Sequence, residues 1–316
     1  MHKKWFLMIF VSLILILTAC TEEGQGAAET AVEGDGDFVV GMSVINQEAL
    51  FFTEMVKGAK EKAEELGITL NVHNANNDQV EQNNTVENYI AEGVNAIVIN
   101  AYDPGSLNPV IEKAKEEGII IISVDTIIES DAVDVQIGVD NAEESVNLAA
   151  YFNDYWGDEE VNLGVITALN APIQVNRQDS FIDSIENAEI VDILDGENVQ
   201  EKALSAAENL FISNENLDAV YITGEPGYIG AVSAIKSQGV QDGVKLFGWD
   251  LSPQVVQGID EGFVEAVIQQ HPDEYGSEAV NAAYEIFQGN EVSSPLDVPA
   301  TIVTEDNIDE FRDLFE

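Results

Sequence analysis

From Phe38 onward, short runs of apolar and β-branched residues alternate with longer segments whose apolar positions recur every three or four residues. The first series predicts strands at 38–44, 68–73, 96–100 and 119–124, separated by helices over 49–66, 79–92 and 106–117. Gly67, Gly93 and Gly118 each follow a charged helical segment and predict its stop. A second series starts near Asn141 with a helix through Trp156. Strands then follow at 161–166, 190–194, 219–222, 244–249 and 264–268, with helices over 174–187, 201–212 and 228–238 and a short one from Pro253. A helix over 274–288 and a last strand over 298–303 complete the pattern. Strands of about five residues joined by helices require crossover connections, hence parallel sheets covered on both faces. The expected fold is α/β, with two doubly wound, Rossmann-like domains in succession and a cleft between them.

The amino-terminal end follows a different rule. His2, Lys3 and Lys4 precede an apolar run from Trp5 to Leu17, which is short for a membrane span of about 20 residues. The run ends in Leu17-Thr18-Ala19-Cys20, and Cys20 is the one cysteine in the chain. The pattern resembles a bacterial lipoprotein signal, with residues 1–19 removed and Cys20 as the lipid attachment point. The chain beyond it is then expected outside the cytoplasmic membrane, on a Gram-positive cell surface rather than free in a periplasm. Residues 20–37 are rich in Gly, Ala and Glu, lack large apolar side chains, and read as a flexible tether.

Composition narrows the partners. The 316 residues carry 12 Lys and Arg against 59 Asp and Glu, a formal charge of −47. No basic cluster is available to displace counterions from phosphates, so nucleic acid is excluded as a partner. With 45% hydrophobic residues the chain can bury two cores, and without a further cysteine those cores rest on packing alone. His2, His73 and His271 are the only histidines, too few and too scattered for a metal or triad constellation, so neither an enzyme nor a cofactor is expected.

In doubly wound sheets ligands lie beyond the carboxyl ends of strands, so the chemistry is sought in the loops there. Those loops hold Asn46, Phe51 and Phe52 after the first strand, and Asp125 and Thr126 after the fourth. The second unit offers Asn170 and Arg177 after its first strand, Glu225 after its third, Asp250 after its fourth and Gln270 after its fifth. Amides and carboxylates can hydrogen-bond hydroxyl groups, and aromatic faces can stack on the C–H face of a sugar ring. Taken singly, Phe51 and Phe52 could be core residues, and Asp125 and Asp250 could be loop or helix caps.

Six segments together carry a family resemblance. Phe51-Phe52 with Met55 to Ala59, Ile121 to Asp125, Val139-Asp140-Asn141, Arg177 to Phe181, Phe247 to Asp250, and Gln270 to Asp273 resemble, in order, the ribose- and galactose-type solute-binding proteins of bacterial ABC importers. The resemblance spans residues 38 to about 303. It implies a type I periplasmic-binding-protein fold, with lobes at 38–140 plus 271–298 and at 141–270 plus 299–316, joined by a three-stranded hinge near 139–141, 269–272 and Pro299. It assigns ligand contacts to Asn46, Phe51, Phe52, Asp125, Arg177, Asp250 and Gln270, and places Thr126 and Glu225 where ribose binders carry Arg and Asn-Asp. Loss of a guanidinium and gain of a carboxylate argue against ribose itself and leave another sugar, a polyol, a furanose-like signal or an amine-bearing ligand. The implied function is a monomeric receptor that delivers a neutral sugar or polyol to an ABC permease. A sensor presenting its ligand to a histidine kinase or chemoreceptor would use the same closed form.

Overall fold

The computed structural model describes residues 30–32, 38–47 and 50–315. The proposed signal, Cys20 and most of the proposed tether lie outside them. Strands β1 (Thr30–Val32), β2 (Val39–Val44), β3 (Thr69–Asn74), β4 (Ala96–Ile99), β5 (Ile120–Val124), β6 (Val135–Gly138) and β12 (Leu296–Asp297) form one sheet, in the order β1-β3-β2-β4-β5-β6-β12. Strands β7 (Val161–Thr167), β8 (Ala188–Asp195), β9 (Ala219–Ile222), β10 (Lys245–Trp249), β11 (Val264–Gln269) and β13 (Thr301–Val303) form the other, in the order β13-β11-β10-β9-β7-β8. Both are parallel except at one edge, where β1 and β13 run antiparallel to their neighbours. Strand order reverses beside β2 and beside β7, so each sheet opens its crevice at the carboxyl ends of those strands.

Alternation along each strand feeds two cores per sheet. In β4, Ala96 and Val98 enter one core while Ile97 and Ile99 enter the opposite one. In β9, Val220 and Ile222 pack on one face and Ala219 and Tyr221 on the other. Helices α1 (Leu50–Leu66), α2 (Gln79–Glu92), α3 (Pro104–Glu116) and α9 (Pro272–Phe287) accompany the first sheet; α4 (Asn141–Trp156), α5 (Pro172–Ile182), α6 (Gln200–Ser213), α7 (Glu225–Gln238) and α8 (Pro253–Asp260) accompany the second. Gly67, Gly93 and Gly118 adopt φ of 67°, 71° and 81°, the left-handed geometry that ends a helix. The chain passes between the sheets three times, after β6, after β11 and between β12 and β13.

Three strand features depart from the sequence pattern, and the helix expected over 174–187 is shorter, Pro172–Ile182. Strand β6 follows β5 without a helix, and its four residues are too short for a periodic signal. The last predicted strand, 298–303, is two: Leu296–Asp297 pairs β6, whereas Thr301–Val303 pairs β11, because residues 298–300 form the third crossing. Within the segment read as tether, Thr30–Val32 pairs with β3, whose outer edge would otherwise present unpaired backbone groups.

Helices α1 and α9 are in backbone contact. A Cβ on Gly276 would stand 1.8 Å from the Met55 carbonyl oxygen, and one on Gly58 1.9 Å from that of Asp273. A Gly276→Ala substitution gains about 1 kcal/mol of helix propensity, but it must push apart two backbones that no rotamer change can relieve. A net loss of about 2 kcal/mol is expected from denaturant unfolding; unchanged or raised stability would contradict this packing.

Candidate functional site

Arg177, on α5, is the one buried cation among the described residues. Its guanidinium carbon lies 3.7 Å from the centroid of the Trp249 ring, at the end of β10. Nε donates to Asn141 Oδ1 at 2.7 Å, and Nη1 donates to the Thr223 carbonyl at 3.1 Å. The support beneath is closed: Trp249 Nε1 donates to the Tyr221 hydroxyl at 3.0 Å, and that hydroxyl donates to the carbonyl of Arg177 itself at 3.2 Å. Phe181, one turn along α5, stacks on Tyr221 at 3.9 Å. The guanidinium is therefore fixed before any ligand arrives.

Two aspartates face this cation from the ends of corresponding strands. Asp250 follows β10, and Asp250 Oδ2 stands 3.6 Å from Arg177 Nη1. Asp125 follows β5 in the other lobe and feels the charges of both Arg177 and Asp250. Both adopt left-handed backbone, φ 63° for Asp125 and 68° for Asp250. Each donates its N–H to a carbonyl on the neighbouring strand, Asp125 to Ile137 at 2.7 Å and Asp250 to Ile268 at 2.8 Å. Asp tolerates this conformation better than most residues, and its cost is commonly met at functional sites. Neither carboxylate caps a helix: the cap of α8 is Ser252, whose Oγ accepts from Val255 N.

The remaining predicted residues fall around this pair. Gln270 is buried in the second crossing and donates from Nε2 to Asp250 Oδ1 at 2.7 Å. The Thr126 side chain lies beside Asp125 and opposes the rise of its pKa. Phe51 and Phe52 meet edge to face at 5.4 Å, and Phe51 meets Tyr275 of α9 in the same manner at 6.1 Å. Glu225 is not in a loop but is the first residue of α7, exposed on the rim; partial burial and then the charge of Asp250 hold its pKa above the ordinary carboxylate value. Asn46 donates to Asn77 Oδ1, after β3, at 3.2 Å. Asn170 likewise turns to the Glu197 carbonyl.

A periplasmic binding protein domain profile matches residues 40–291. The chain belongs to the periplasmic binding protein family. It is 25% identical over 306 residues to the ribose import binding protein RbsB of Bacillus subtilis (strain 168), a match covering 96% of this chain and 99% of that one. It is 27% identical over 257 residues to the D-xylose-binding periplasmic protein of Escherichia coli (strain K12), covering 77% and 78% of the two. Its fold is similar to that of AraP, an arabinose binding protein from Geobacillus stearothermophilus, with a TM-score of 0.80 at 22% identity over 87% of this chain and 99% of that one.

Within this family fold, several residues of the site escaped the strand-end reading. Asn100, fully buried after β4, donates to Asp125 Oδ2 at 3.1 Å and is held by Gln82, which donates to its carbonyl at 2.9 Å. An asparagine closing an apolar strand was the available signal. Asn141 begins α4 and Tyr275 lies within α9, and only the assembled fold shows that they face the site. Gln174 sits one turn before Arg177 and accepts from Thr223 Oγ1 at 2.8 Å, over a glycine, Gly224, that leaves it room. His73 pairs with Glu81 and His271 with Thr301. Among the described residues no group of three or more His, Cys, Asp or Glu is placed to hold a metal.

Burial lifts the Asp125 carboxyl to about 6, against the opposing pull of Arg177 and Asn100. A raised acid stabilises the fold below its unfolded pKa near 4 and loses that contribution as pH rises through 6. The ligand-free Asp125→Asn protein should therefore match the parent near pH 4 and exceed it at pH 7–8. The half-buried position reduces the gain to about 1 kcal/mol, or ~2–4 °C in Tm. Melting curves across pH 4–8 that stay parallel for the two proteins would contradict this.

Proposed function

We propose that the protein is a solute receptor that captures a small, neutral, hydroxyl-rich ligand, a sugar or polyol, between its two lobes and delivers it to the permease of an ABC importer. One observation carries the reading: Asp125 and Asp250, from opposite lobes, converge on a single buried guanidinium that is already braced by Trp249, Asn141 and Thr223. Carboxylates accept hydrogen bonds from hydroxyls, and the guanidinium donates to hydroxyl or ring oxygens. A ligand that touches both lobes stabilises the closed arrangement by the contacts it makes only there.

In this reading Asp125, Asp250, Arg177 and Gln270 hold the polar edge of the ligand. Phe51 and Phe52 flank its apolar face, and Thr126, Glu225 and Asn46 tune the rim. The family likeness supports transport, and the relatives named for ribose and xylose support a sugar. The lipoprotein-like segment ending at Cys20 supports an extracytoplasmic receptor anchored by lipid, working as a monomer whose tether raises its concentration near the permease.

Calorimetric titration of the chain from residue 21 with pentoses, hexoses and polyols should give at least one saturable partner. Binding to an amino acid and to none of these would overturn the reading. For the partner found, Arg177→Ala should weaken affinity by about 100-fold, the scale of removing one member of a buried charged pair. Arg177→Lys, which keeps the charge but loses the fork, should fall between the two. Full affinity in both variants would remove Arg177 from the site.

A further inference from the structure

Asp250 does not choose its orientation alone. One oxygen looks toward Arg177 and the other accepts from Gln270 Nε2. The other end of the Gln270 amide, Oε1, accepts from the Tyr275 hydroxyl at 3.2 Å. Tyr275 is fully buried in the first lobe's core, Gln270 lies in the second crossing between lobes, just after β11, and Asp250 belongs to the second lobe. A single hydrogen-bond chain thus crosses the junction from the core of one lobe to a site carboxylate of the other.

The start of this chain is held unusually firmly. The next residue, Gly276, abuts the Met55 carbonyl, so the Tyr275 backbone cannot slide along α1. Phe51 rests edge-on against the Tyr275 ring. Burial holds the phenol far above the ordinary tyrosine pKa, so it remains a donor at any working pH. An amide has one accepting and one donating end, and the chain is consistent only when the phenol meets Oε1 and the carboxylate meets Nε2.

Resting on the reading of the cleft as a sugar or polyol site, we propose that Tyr275 is a positioning residue for ligand binding. Its hydroxyl fixes the Gln270 amide, which in turn holds Asp250 beside Arg177. Because the ring also supports Phe51, one side chain sets both the aromatic and the carboxylate walls of the site. Without the hydroxyl, Gln270 Oε1 is left buried and unpaired, and the amide turns to find another donor, releasing Asp250.

The test has two arms. In the ligand-free protein, the Gln270 side-chain amide protons, followed by NMR, should exchange with solvent at least about tenfold faster in Tyr275→Phe than in the parent, since the amide is tethered at one end only. Backbone exchange in β5 and β10 should be unchanged. Identical Gln270 amide behaviour in the two proteins would overturn the proposal. In the second arm, the probe is whichever of D-ribose, D-xylose, L-arabinose and myo-inositol raises Tm most. Tyr275→Phe should weaken its binding about tenfold, and should have no further effect in a Gln270→Ala background. Equal losses in both backgrounds would show that Tyr275 acts independently of Gln270 and would overturn the relay. Failure of all four probes would count against the ligand reading, while the NMR arm would still decide the role of Tyr275.

Discussion

A charge buried between two lobes must be neutralised and hydrogen-bonded, or the fold loses several kcal/mol to desolvation. In this protein that constraint falls on Arg177, and much of the junction can be read as its solution. Trp249 receives the guanidinium face, Asn141 and Thr223 take two of its donors, and Asp250 supplies the opposite charge. Asn141 begins the helix that follows the first crossing, Thr223 directly follows β9, and Trp249 ends β10, so the cation ties three carboxyl-terminal strand or crossing positions together. A Lys could supply the charge but not the planar fork that meets these partners at once.

The hinge is braced by groups of the same kind. Glu144, in the first turn of α4, accepts from the Ala300 N–H in the third crossing, and His271 of the second crossing pairs with Thr301 just after the third. The third crossing thus bonds to the helix that follows the first, the second bonds to the strand that follows the third, and Asn141 and Gln270 tie the first two crossings to Arg177 and Asp250. Movement of the lobes cannot be separated from rearrangement near the site, which is the property a two-lobed receptor needs if occupancy is to be read from its shape.

The parallel sheets were legible because burial on both faces demands apolar runs such as Ala96–Ile99 and Ala219–Ile222, and helix ends were marked by Gly67, Gly93 and Gly118. Asp125 and Asp250 were legible for a topological reason: they directly follow such runs, at the ends where doubly wound sheets hold ligands. Strand β6 and the division of the last strand were not, since segments of two to four residues have no period and take their pairing from tertiary context. Tyr275 was hidden in another way. On α9 it reads as one more buried aromatic of an amphipathic helix, and its hydroxyl matters only because the second crossing brings Gln270 beside it. Glu225 shows the limit of loop counting, because α7 starts directly after Gly224, and no side-chain cap in the sequence marks that start.

The central claim is that a ligand shared by Asp125, Asp250 and Arg177 draws the lobes together. Ile127 and Leu169 are exposed, one in each lobe, just beyond the carboxyl ends of β5 and β7. Spin labels on an Ile127→Cys, Leu169→Cys protein would report their separation by pulsed electron–electron resonance. Saturating ligand should shift the distribution to a single shorter distance, and the same ligand should leave the Asp125→Ala background at its ligand-free distribution. A distribution that does not change when the parent is saturated would contradict the account.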